Sequence, residues 1–150
     1  MKEVIFFATL LTMIGGCATT NNPISARSNT ASSGTVQYIL NVPKESYTSP
    51  GTLDATLSAH NVGNTNDNVA VGSAVNAIWT LKNSSGEVIC SGQNDGNLMA
   101  VVSLRPGESK VINVWFVPLT DGSSEPLPAG LYTLNVDFSR KTLSLHVSIQ

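Results

Sequence analysis

Gly130-Leu131-Tyr132-Thr133-Leu134-Asn135-Val136-Asp137-Phe138 alternates without a break, with Tyr132, Leu134, Val136 and Phe138 in one phase. Successive side chains of a strand point to opposite faces, so this pattern predicts a strand with one buried side. Ser139-Arg140-Lys141 turns the chain into 142–149, where Leu143, Leu145, Val147 and Ile149 repeat the same phase. A hairpin with one apolar face must cover that face with a second layer.

Working back towards the N-terminus, the period of two recurs between turn residues. Residues 36–42 read as a first strand, ending at Pro43. Leu53, Ala55, Leu57 and Ala59 alternate with Asp54, Thr56, Ser58 and His60. Residues 61–68, NVGNTNDN, read as a loop by composition. Val75, Ala77, Trp79 and Leu81 form the next apolar face, and residues 82–86 turn it into 87–91, with Gly86 supplying a positive φ. Residues 93–97 form another turn. The run 98–104 is apolar in both phases, which predicts a central strand or an inter-sheet crossing. Arg105-Pro106-Gly107-Glu108 is a tight turn, followed by a strand over 109–117 with Val111 and Trp115 in its apolar set. No stretch carries a helical period.

About eight short strands at regular spacing predict an all-β, Ig-like antiparallel sandwich of about seven to eight strands, with a closed barrel as the alternative. Tyr132 tilts the choice to the sandwich. It follows a glycine at a late strand start, where its hydroxyl can bond back to upstream backbone as a tyrosine corner; the competing reading is a half-buried aromatic.

The first seventeen residues say where the protein is expected to live. Lys2 gives a weakly positive start, 4–14 is nearly all apolar, and Ile14-Gly15-Gly16-Cys17 closes the run. It is too short for the ~20 residues of a spanning helix, so a signal peptide is expected. It resembles a bacterial lipoprotein signal with a lipobox, which implies cleavage before Cys17 and lipid attachment to its thiol. The competing reading is a plain hydrophobic terminus with a chance cysteine. Residues 18–34 are rich in Ser, Thr, Asn and Ala without apolar period, and read as a tether. The expected organisation is therefore 1–16 signal peptide, 17–34 lipidated cysteine and tether, and 35–150 sandwich.

Two blocks resemble one family. Leu104-Arg105-Pro106-Gly107-Glu108-Ser109 with Trp115, and Leu127-Pro128-Ala129-Gly130-Leu131-Tyr132-Thr133-Leu134, resemble the BsuPI-type domain, named after a Bacillus intracellular proteinase inhibitor. Upstream, 57–61 resembles its strand followed by Asn, and 79–89 resembles its hairpin. The resemblance covers about 52–138 and implies an Ig-like sandwich and, through the family's name, proteinase inhibition. Cys90 stands near where the family often has an aromatic, and 61–68 looks inserted.

Chemistry is sparse. Charged residues are 12% of the 150, with a net charge of −2 and no basic stripe, so nucleic acid is not an expected partner. With Cys17 used by the anchor, Cys90 has no disulfide partner and reads as a small buried residue. There is no Gly-x-Ser-x-Gly elbow, and His60 and His146 read as exposed strand residues. Two oxygen-rich loops, Asn64, Asn66, Asp67 and Asn68, and Asn94, Asp95 and Asn97, each have one carboxylate where calcium wants several, so both read as Asx turns. Trp79 and Trp115 lie in phase with aliphatic neighbours and read as core rather than a sugar platform. No enzyme activity, metal or cofactor is expected.

The expected function is protein binding in the cell envelope, the partner being another envelope protein or a protease. Membrane attachment through Cys17 is expected, at the outer membrane facing the periplasm in a Gram-negative cell. The candidate partner-binding loop is 118–129, with Pro118, Asp121, Glu125, Pro126 and Pro128; its prolines reduce flexibility. A non-inhibitory accessory subunit of an envelope or secretion assembly is the alternative, and a hydrolase without a recognisable motif is a third reading.

Overall fold

The computed structural model describes residues 27–71, 76–93 and 100–150. The strands are β1 (Arg27–Ser33), β2 (Val36–Val42), β3 (Ser46–Tyr47), β4 (Thr52–Asn61), β5 (Asp67–Val71), β6 (Ile78–Lys82), β7 (Val88–Gln93), β8 (Ala100–Leu104), β9 (Ser109–Pro118), β10 (Gly130–Phe138) and β11 (Lys141–Ile149). Two sheets face each other, one ordered β1-β2-β4-β9 and the other β3-β11-β10-β6-β7, while β5 and β8 make a separate ribbon. Pairing is antiparallel except for the short β3 on β11. The fold is an all-β sandwich and not a closed barrel.

The expected alternation builds the core. Leu40, Leu53, Leu57 and Val117 from the first sheet meet Leu81, Leu134, Val136 and Leu143 from the second, all buried. Trp79 and Trp115 are buried among them. Burying one such aliphatic side chain stabilises by about 1.5–3 kcal/mol, so the two faces supply most of the drive to fold.

Eleven strands stand among the described residues where about seven to eight were expected, for identifiable reasons. β1 lies inside the segment assigned to the tether. Its Ser, Thr and Asn residues carry no apolar period, but it pairs along its length with β2, from Arg27 opposite Val42 to Ser33 opposite Val36. The folded domain therefore starts by Arg27, not near Thr35. β5 takes its first two residues from the supposed loop 61–68, and the two-residue β3 is set only by its contact with the end of β11.

Two corrections concern which residues face inward. The 98–104 run was expected to be a central strand or an inter-sheet crossing; its described part, β8, pairs only with β5 among the described residues, and only its last residue, Leu104, is buried. Val101 is 59% exposed, so the double apolar phase reflects a peripheral ribbon rather than burial on both faces. In β9, Val111 was placed with Trp115. The β4–β9 register shifts at Leu57/Ser58: Asn113 opposes Leu57 and Val111 opposes Ser58, leaving Ile112 as the extra residue. A bulge reverses side-chain phase. Ile112 is accordingly buried, Val111 is 54% exposed, and Trp115 stays inside. Val75 and residues 94–99 lie outside the described residues.

The β10–β11 turn is tighter than expected. Ser139 (φ 44°) and Arg140 (φ 60°) form it alone, and Lys141 already belongs to β11. Two left-handed residues match the twist of a two-residue hairpin.

Candidate functional site

The loop after β9 is held by its own backbone. Leu119 and Leu127 are buried, and the Leu127 amide donates to the Leu119 carbonyl at 3.2 Å. Thr120 and Pro126 form a bridge beyond them. At the tip, the Asp121 amide donates to the Glu125 carbonyl at 2.8 Å and the Ser124 amide to the Asp121 carbonyl at 3.0 Å. The Asp121 carboxylate closes the turn, its Oδ1 accepting from the amides of Ser123 (2.8 Å) and Glu125 (3.0 Å). This is an Asx-type closure, and it frees Ser124 to take φ 66°.

The candidate residues are thus brought to one hairpin in different roles. Asp121 is spent on the turn. Glu125 is exposed, its backbone fixed at both ends and its carboxylate at the surface. Pro126 sits in the bridge. Pro118 ends β9 opposite Thr52, and its carbonyl lies 3.7 Å from the Cys90 thiol. The Pro128 carbonyl accepts from the Tyr132 hydroxyl at 2.9 Å. Tyr132 therefore makes the corner bond that its position after Gly130 suggested. Tyr132→Phe is expected to lower unfolding free energy by about 1–2 kcal/mol with unchanged core packing, read as a lower urea midpoint at constant m-value.

Behind the hairpin lies a cavity of about 370 Å³. Ile89, Leu127, Leu131 and Tyr132 give it apolar walls, and Asn83, Ser84 and Asp121 give it polar ones. Leu131 is largely exposed there. Asn83 is itself locked: its Oδ1 accepts from the amides of Ser85 and Glu87, each at 3.0 Å, so this wall is as firm as the hairpin.

The remaining chemistry-bearing side chains are dispersed. The Nδ1 of His60 is 2.8 Å from the Ser109 hydroxyl, and that of His146 is 3.0 Å from the Thr133 hydroxyl. The two histidines lie on different sheets, and among the described residues neither is bonded to a carboxylate. Cys90 is half-buried, and burial pushes its thiol pKa up, away from the reactive thiolate. Asp67 accepts from the Thr35 hydroxyl and the Asn68 amide, which hold its carboxyl below the ordinary range. It braces the start of β5 against the turn that precedes β2. No group of three or more His, Cys, Asp or Glu residues is arranged to hold a metal among the described residues. Cys17 and the Asn94, Asp95 and Asn97 loop lie outside the described residues.

Asn61, read from sequence as the residue after a strand and the start of the 61–68 loop, is the last residue of β4 and a hub. Among the described residues it is the buried polar side chain of the core. Its Nδ2 donates to the carbonyls of Thr65 (2.7 Å) and Leu104 (2.9 Å), and its Oδ1 accepts from the Gly63 amide (2.9 Å). Its backbone bonds both Glu108 and Gly107.

No protein-family model matches the chain, and no curated protein matches it. Among solved structures it is similar to a β-glucosidase from Erythrobacter marinus, at 14% identity and TM-score 0.47 over 81% of this chain and 16% of that one. It is also similar to a β-glucosidase from Listeria innocua, at 12% identity and TM-score 0.43 over 83% of this chain and 16% of that one. An alkylpurine DNA glycosylase from Pseudomonas fluorescens aligns at 11% identity and TM-score 0.42, over 73% of this chain and 28% of that one. The chain spans about 16% of the length of the β-glucosidases it matches.

Proposed function

We propose that this chain is a lipid-anchored envelope protein whose sandwich is a protein-binding module, with the hairpin 119–127 as its presenting element. Anchoring rests on the apolar run that ends at Ile14-Gly15-Gly16-Cys17. In a Gram-negative cell, Ala18 after the lipidated cysteine points to the outer membrane, facing the periplasm.

The observation that carries the binding role is the closure of the tip by the Asp121 carboxylate. A loop ordered before it meets its partner loses little conformational entropy on binding, so each contact adds more affinity. The tip carries Ser123, Ser124 and Glu125 outward on a backbone that is already fixed. Proteinase inhibition is the narrower form of this reading, and its support is the BsuPI-type resemblance.

The test uses the full chain in detergent against a panel of serine, cysteine and metalloproteases, recording inhibition and cleavage. Glu125→Lys reverses the exposed charge and leaves every backbone bond of the tip in place. The expected result is saturable binding to one target, weakened at least tenfold by Glu125→Lys with an unchanged urea midpoint. Saturable inhibition that ignores both Glu125→Lys and Asp121→Ala places the contact elsewhere. An intact domain that inhibits nothing restricts the role to non-inhibitory binding.

A further inference from the structure

The strand β1 settles which end of the sandwich the tether meets. Arg27, its first residue, pairs with Val42, and its Nε is 3.5 Å from the Glu45 carboxylate. From Glu45 the chain passes through β3 to Ser49, whose hydroxyl donates to the Leu119 carbonyl at 2.6 Å, while the Leu119 amide donates to the Gly51 carbonyl at 2.9 Å. Chain entry and the base of the 119–127 hairpin are therefore at one end. β1 then runs away from it, and Lys141 Nζ donates to the Ser32 carbonyl at 2.7 Å at the far end, beside the Ser139-Arg140 turn. A nine-residue strand such as β11 spans about 30 Å, which separates the two ends.

Resting on the anchoring reading, we propose that the hairpin end faces the bilayer, and that its partner is a protein held in the same membrane. Residues 18–26 reach at most about 30 Å from Cys17, so the hairpin end cannot leave the zone occupied by membrane-bound proteins. The far end, about 30 Å further along the strands, can stand beyond that zone. The partner chemistry follows from the cavity: Ile89, Leu127 and Leu131 accept one apolar side chain, and the acidic Asp121 and Glu125 at the tip favour a cationic neighbour beside it. Tethering both partners to one surface raises their effective concentration, so a modest contact area suffices.

The test uses the full-length lipidated protein in phosphatidylcholine vesicles containing a headgroup-quencher lipid. A fluorophore is placed on Ser123→Cys or Ser139→Cys, each in a Cys90→Ser background. The expected result is severalfold stronger quenching at position 123. Equal or reversed quenching, with acyl chains found on Cys17 by mass, overturns the orientation and leaves anchoring intact. No acyl chains and no quenching at either site overturns the anchoring, and the proposal with it. In cells, a photo-crosslinker at position 123 is expected to capture membrane-integral protein, with adducts reduced by Glu125→Lys and absent from position 139. Adducts confined to soluble proteins overturn the partner class.

Discussion

Asn61→Ala is expected to be the most destabilising single change in the domain, costing about 3–5 kcal/mol in unfolding free energy. The side chain is fully buried and makes three bonds, to Thr65, Leu104 and Gly63. They tie the end of β4 to the loop after it and to the last residue of β8. Alanine leaves their backbone partners without the side chain that satisfied them, and a buried unpaired group costs about 1–3 kcal/mol. Asn61→Leu separates the causes. It matches the branched shape and fills the space but makes none of the bonds, so it is expected to fall within about 1 kcal/mol of Asn61→Ala. Rescue by leucine would assign the effect to packing. Urea unfolding measures all three proteins, and a loss this size is a large share of the ~5–15 kcal/mol typical of a domain.

This residue shows why the sequence told so much of the fold and so little of the site. The sandwich was legible because β4, β6, β10 and β11 repeat an apolar phase that only one face can satisfy. Where position depends on a neighbour's register, that local signal stops. Ile112 enters the core because Leu57 and Ser58 on another strand set the bulge, and nothing within 109–117 announces it. β1 is ordered by pairing with β2 and by Arg27 reaching the His146 carbonyl, contacts between residues far apart in the chain.

The candidate loop was found by composition, with its prolines read as reducing flexibility. The structure adds a second cause of order that composition does not show: the Asp121 carboxylate closes the turn through two amides. Asn61 was hidden for a related reason. It opens an Asn-rich stretch whose other members read as solvent-facing turns, and only burial distinguishes it.

Gly92→Ala is the second large effect, expected to cost about 2–3 kcal/mol through steric overlap alone. Gly92 lies directly opposite Trp79 in the β6–β7 pairing. A Cβ at position 92 would stand 2.6 Å from the Cε2 and Cζ2 of the Trp79 ring and 2.7 Å from its Nε1. Those are contacts no relaxed structure holds, and the obstacle is a rigid ring rather than the end of a flexible chain. Trp79 is buried and cannot swing into water without opening the core. β7 is the edge of its sheet, so the strain is expected to push that edge outward. The Cys90 thiol, half-buried two residues away, should then alkylate faster than in the parent protein. A double-mutant cycle identifies the mechanism. Trp79→Leu alone removes core contacts and destabilises, but it also clears the space above Gly92. Combined with Gly92→Ala, it should recover at least about 1 kcal/mol relative to the sum of the single changes. Strict additivity would mean that glycine is needed at 92 for its backbone and not for the ring above it. In that case the backbone of β7 at position 92, rather than its packing on Trp79, would set the tolerance of this edge.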